Sequence, residues 1–217
     1  MALGDRPEVR GEMTSAVILA GGIGERLGSL IPKPFLTLCG KPVLQHSIDA
    51  VEPLVDEVVV VAPAPYRHYR HAPPGETRQG SIVSGLAACS CPRYVVIHDG
   101  VRPLATQDTV RGVLDRLCAG ARSVICAVPV TDAMIEGGIP LSKAGKMLAQ
   151  TPEGFEYSLL VSAYESTPDR EYEASYWAIY EKYGIMPEVV PGVSLNTKLT
   201  FAEDLRNAEL LLSPGGR

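Results

Sequence analysis

Short, unbroken apolar runs recur along this chain, and each is followed by glycine, proline or a charged residue. Residues 16–20 (AVILA), 57–62 (EVVVVA), 94–98 (YVVIH) and 123–128 (SVICAV) have this form. A run of that length with no polar alternation marks a strand buried on both faces. The stretches between them read as helices over residues 43–51, with Val43, Ile48 and Val51 on one face, then over 81–88 and 106–118. Strand and helix in alternation predict an α/β fold, a Rossmann-like, mainly parallel sheet with helices on both faces. From residue 129 to 150 the pattern weakens, and Gly137, Gly138 and Gly145 punctuate short β-like pieces. That segment is expected to leave the sheet as a protruding β-arm. The chain then resumes with helices near 155–164 and 174–183, a strand at 188–190 and a last helix over 202–212. The whole reads as one domain over 14–217, preceded by a mobile extension over 1–13.

Composition narrows the function classes. The 217 residues suffice for one domain with a full core. Lys and Arg number 20 against 25 Asp and Glu, a formal charge of −5, and no basic stripe tracks a nucleic-acid backbone. A small anionic ligand held by a few local cations remains open. The five cysteines, Cys39, Cys89, Cys91, Cys118 and Cys126, are odd in number and sit mostly in apolar runs. They read as reduced core thiols of a cytoplasmic protein, and Cys89 and Cys91 lack the second pair that a zinc site needs. No apolar run approaches the ~18 residues of a membrane span, and the polar start lacks a signal-peptide core.

In open α/β sheets, ligands bind beyond the carboxyl ends of the strands, so the residues just after each apolar run are the candidates. The first run leads into AGGIGERLG (20–28), where glycines let a phosphate approach the backbone and a following helix offers free N–H groups. By itself this is a tight turn or a dinucleotide site. The dinucleotide reading lacks an acidic residue ~20 positions on to take the ribose hydroxyls. Arg26 and then Lys33, within Pro-Lys-Pro, place two cations beside the turn, which suits a triphosphate with a leaving pyrophosphate. Asp99 ends the third run next to Gly100, where a carboxylate either binds a divalent cation or caps the next turn. Ser81 reads either as a helix N-cap or as a base contact.

The run AGGIGERL…PKPFLTLCGKPVLQHSI resembles the start of the sugar-phosphate nucleotidyltransferases. GETRQGS (75–81), IHDGVRP (97–103), VPVTD (128–132), AQTPEGF (149–155) and NTKLTFAEDL (196–205) are similar to segments of the 2-C-methyl-D-erythritol 4-phosphate cytidylyltransferase family. The resemblance implies that Ala20, Gly21, Gly22 and Gly24 contact the nucleotide, and that Arg26 and Lys33 hold its phosphates. It implies that Gly75, Glu76, Arg78 and Ser81 flank cytosine and ribose. Asp99, Gly100, Arg102 and Thr151 fall on the acceptor side, and Lys198 reaches both the α-phosphate and the attacking phosphate. The implied reaction is transfer of CMP from CTP to a small phosphate or phosphonate acceptor, with Mg²⁺ or another divalent cation at Asp99. The arm implies a homodimer.

The family pattern breaks on the acceptor side. Lys143 stands where the family has an arginine lent by the partner's arm, Ala133 where it has a threonine, and Glu153 where its TPQ has glutamine. Glu171 falls at a threonine said to contact the acceptor. Lysine keeps the charge of arginine and loses its two-pronged geometry. These differences point to an acceptor other than methylerythritol phosphate, with Glu171 receiving an amino or polyol group; ribitol 5-phosphate and methylerythritol phosphate itself are the alternatives. A nucleotide-binding relative without turnover is the reading from another class, and the presence of Arg26, Lys33, Asp99 and Lys198 together argues against it.

Overall fold

The computed structural model describes residues 13–22, 31–167, 170–172 and 174–213. The extension expected over 1–13 lies outside the described residues apart from Met13, and so do Gly24 and Arg26.

Eleven strands and six α-helices are present among the described residues. Strands β1 (Thr14–Leu19), β2 (Thr37–Leu38) and β3 (Lys41–Pro42) are followed by helix α1 (Val43–Val51). Strands β4 (Glu57–Val61) and β5 (Arg70–Ala72), helix α2 (Arg78–Ala88), strand β6 (Tyr94–Asp99), helix α3 (Gln107–Cys118) and strand β7 (Ser123–Pro129) come next. The arm hairpin β8 (Met134–Glu136) and β9 (Ile139–Leu141) precedes β10 (Met147–Glu156), α4 (Tyr157–Glu165), α5 (Tyr176–Tyr183), β11 (Glu188–Pro191) and α6 (Ala202–Leu212). Seven strands form one sheet in the order β11-β7-β10-β6-β1-β4-β5. All its pairings are parallel except the two made by β10, which runs antiparallel between β6 and β7. The sheet is therefore mainly parallel, as the alternating pattern predicts.

Successive side chains of the central strands enter opposite cores. Ala16 and Ile18 of β1, Val58 and Val60 of β4 and Val96 of β6 pack against α1 and α3. Val17, Val59, Val61, Val95 and Ile97 pack against α2, α4 and α5. Burial on both faces explains why these strands are apolar without interruption; each fully buried Val or Ile contributes roughly 1.5–3 kcal/mol. A third, smaller core joins Leu38, Val43, Leu199 and Ala208, tying α6 to the β2–β3 hairpin.

Departures from the sequence reading include the arm, β10 and the start of α2. The segment 129–150 holds the expected hairpin, turned by Gly137 and Gly138 at positive φ, but its last residues already belong to β10. Phe155 is a strand residue, not the start of a helix. The polar and breaker residues 150–154 hide this strand; its register shifts between Gln150 and Glu153, around a cis Thr151–Pro152 bond. Helix α2 begins at Arg78, capped by Thr77, whose Oγ1 accepts from the Gly80 N–H at 3.0 Å. Ser81 is therefore a first-turn residue and not the N-cap.

Candidate active site

The carboxyl ends of β1, β4 and β6 lie level, with Leu19 paired to Val61 on one side and to Asp99 on the other. Beyond them opens a cavity of about 640 Å³. Its wall is made by Gly21 and Gly22 after β1, by Lys33 and Pro34, and by Gly75, Glu76, Thr77, Arg78 and Ser81 at the start of α2. Asp99 and Val101 after β6, and Lys198, Leu199 and Thr200 before α6, complete it.

Close backbone contacts set this wall. The Ala20 N–H donates to the Val61 carbonyl at 2.8 Å, and the Gly100 N–H to the Leu19 carbonyl at 2.8 Å, so the chain turns away from each strand at a fixed point. A Cβ on Gly21 would stand 2.4 Å from Pro74 Cβ, and one on Gly75 would stand 2.5 Å from the Gly80 carbonyl carbon. Only glycine allows these approaches. The Gly75 N–H donates to Ser81 Oγ at 3.1 Å, which fastens the Gly75–Glu76 loop to α2. Ser81 thus holds the loop that the resemblance assigns to the base.

The charged groups gather around Asp99, itself buried. Its carboxylate has Lys198 Nζ at 3.2 Å, Arg102 Nε at 3.4 Å and Arg78 Nη2 at 3.7 Å. Burial alone would raise its pKa, but Lys198, then Arg78 and Arg102, outweigh this and hold the carboxyl well below the usual range. Burial pushes His98 down to about 4, with Asp99 opposing and Arg102 assisting, so the imidazole is neutral at pH 7. Lys33 is buried too, and its Nζ donates to the Thr200 carbonyl at 2.7 Å across the cavity mouth.

Of the residues singled out from the sequence, Gly21, Gly22, Lys33, Gly75, Glu76, Arg78, Ser81, Asp99 and Lys198 meet on this one cavity. Ala20 and Gly100 lie buried directly behind it. Arg102 stands behind Asp99 and donates from Nη1 to the Asn196 carbonyl at 2.7 Å, which steadies the segment carrying Lys198. Three expected acceptor residues are elsewhere in the chain. Thr151 is buried, its Oγ1 accepting from the Asp99 N–H at 3.1 Å and lying 3.0 Å from His98 Nδ1. Lys143 sits on the arm, where its Nζ donates to the Thr131 carbonyl. Glu171 is exposed and lines a separate depression with Gln79, Val83 and Tyr157. The sequence reading missed Asn196, whose Nδ2 donates to the Thr151 carbonyl at 2.8 Å, although it lies in the same motif as Lys198. Glu153, singled out from the sequence only as a departure from the family's TPQ motif, is buried in β10; Ser175, which carries no motif signal, was missed.

The sequence profile of 2-C-methyl-D-erythritol 4-phosphate cytidylyltransferase matches residues 14–214. The chain belongs to that family. Its members are cytidylyltransferases, so the protein is a nucleotidyltransferase enzyme. A relative of that name from Deinococcus radiodurans is 35% identical over 94% of this chain and 92% of its own. A bifunctional IspD/IspF enzyme of Allorhizobium ampelinum is 33% identical, and the chain spans only 56% of it. The crystal structure of the family's enzyme from Thermus thermophilus superposes with a TM-score of 0.80 at 27% identity, over 92% of this chain and 98% of that one.

Among the described residues no helix is long and apolar enough to cross a membrane, and no group of three His, Cys, Asp or Glu side chains gathers for a metal.

Proposed function

We propose that this cavity binds CTP and transfers its CMP group to 2-C-methyl-D-erythritol 4-phosphate. The observation that carries the reading is the ring of Lys198, Arg102 and Arg78 around Asp99, facing the glycine turn and Lys33 across the cavity. A phosphate oxygen of the acceptor attacks the α-phosphorus of CTP, the bond from that phosphorus to the bridging oxygen breaks, and pyrophosphate leaves. The attacking oxygen is already ionised at neutral pH, so no general base is needed. Catalysis rests on positioning and on neutralising two converging anions. Lys198, half exposed at the cavity edge, meets both. Lys33 and Arg26 take the leaving phosphates, Gly75, Glu76 and Ser81 frame the base, and Asp99 with Arg102 orients the acceptor side.

A divalent cation fits this donor set. Mg²⁺ takes one or two carboxylates together with substrate phosphates, and Asp99 is such a carboxylate at the cavity floor. When bound it would supply further positive charge to the substrate phosphates.

The differences at Lys143, Ala133, Glu153 and Glu171 are the grounds for another acceptor. Glu171 lies off the cavity, which removes one of them, and relatives covered almost end to end carry the methylerythritol name. The arm, with Ile135, Ile139 and Leu148 exposed, fits a homodimer in which Lys143 reaches the partner's site. Pyrophosphate release should be measured with CTP, UTP and ATP against methylerythritol phosphate, ribitol 5-phosphate and an aminoalkyl phosphonate. CTP with methylerythritol phosphate should be turned over fastest. A preference for UTP, or for another acceptor, would overturn the corresponding half of the proposal.

A further inference from the structure

Beneath the cavity floor lies a carboxylate that the reaction does not touch. Glu153 of β10 is 2% exposed and does not line the cavity. Its Oε2 accepts from Ser175 Oγ at 2.8 Å and lies 3.5 Å from Arg78 Nη2. Ser175 stands at the N-cap position of α5 yet makes no side-chain cap. A serine there ordinarily accepts from the helix's own amides, a contact worth about 1 kcal/mol; here the hydroxyl turns to Glu153 instead. Arg78 Nη1 also lies 3.5 Å from Ser175 Oγ. The guanidinium is thus suspended between Glu153 behind it and Asp99 beside it.

A buried carboxylate is costly unless paired, and apolar replacement of such pairs is often neutral or stabilising. The arrangement therefore calls for a reason other than stability. We infer that Glu153 is a positioning residue: with Ser175 it holds Arg78 in place on the cavity wall before the nucleotide arrives. Without that anchor, Asp99 is the remaining carboxylate in reach, and the guanidinium closes on it. Arg78 then has to be drawn back and ordered when CTP binds. Glu153→Gln keeps the shape and an acceptor for Ser175 and removes only the charge.

The inference rests on the CTP reading of the cavity, and calorimetric titration with CTP separates the two. Failure of the unaltered enzyme to bind CTP would overturn that reading. Given binding, E153Q should bind CTP about fivefold more weakly, the scale of ordering one long side chain on binding. Added to R78Q, it should weaken binding no further, because its effect passes through Arg78. In turnover, the KM for CTP should rise while the KM for the acceptor stays put, which a general loosening of the fold would not produce. CTP binding by E153Q as tight as the unaltered enzyme's, or effects that multiply in E153Q/R78Q, would overturn the inference. Should E153Q not fold, S175A removes only the hydroxyl that holds Glu153; it should show a smaller loss with the same non-additivity, and an equal loss in the R78Q background would count against the inference.

Discussion

Replacing Asp99 by asparagine removes the anion around which three cations are arranged. Loss of one partner from a buried ionic cluster costs about 3–5 kcal/mol when the remaining charges stay trapped. Here they are not all trapped. The Lys198 side chain is 47% exposed and turns to solvent, and Arg78 keeps Glu153; only Arg102, 12% exposed, stays pressed against the vacated site. The expected net loss is therefore about 2–3 kcal/mol, or roughly 5–10 °C in Tm for a chain of this size. Its pH dependence has a definite sign. The folded carboxyl titrates below its unfolded value of about 3.9, so its stabilisation is complete above that pH and fades as pH falls towards the folded pKa. Thermal melts of both proteins between pH 7 and pH 3 should show a constant gap down to about pH 4 and a narrowing one below it. Tripolyphosphate should raise the Tm of the variant more than that of the unaltered protein, since the uncompensated cations recruit an anion. Equal melting at pH 7, or a gap that closes between pH 7 and pH 5, would refute the electrostatic argument.

Two further changes probe the site and the core separately. Lys198→Met should lower kcat/KM about 10²–10³-fold, the usual loss for a donor facing developing charge, while Tm changes little because the side chain is half exposed; steady-state pyrophosphate release checks this, and a loss below tenfold would contradict it. Gly154→Ala would place a Cβ 2.3 Å from Val113 Cγ1 and 2.9 Å from Leu117 Cδ1, and should cost about 1–3 kcal/mol in urea unfolding.

The sequence disclosed the strands that are buried by apolar contact and concealed the one buried by polar contact. β1, β4, β6 and β7 each carry an unbroken apolar run because both faces are covered there. The middle of β10 is enclosed through specific partners: Gln150 with the Val193 carbonyl, Thr151 with Asp99 and Asn196, Glu153 with Ser175 and Arg78. Those partners lie more than twenty positions away in the chain, so no local pattern reveals them. The short edge strand β5 was missed because three residues leave no periodicity to read. The cavity was legible for a related reason. A residue that follows a buried strand is placed by the strand, so Gly21, Asp99 and their neighbours come together once the parallel order is inferred. Lys143 and Glu171 belong to an arm and a loop, and neither is carried by a sheet strand to the cavity.

The most direct test follows phosphorus by NMR in a mixture of CTP, methylerythritol phosphate, Mg²⁺ and enzyme. The three CTP resonances should be replaced by the coupled pair of a cytidine diphosphate diester, with pyrophosphate in equal amount. CTP left intact, or split to CDP and phosphate with the acceptor unchanged, would contradict CMP transfer at this cavity.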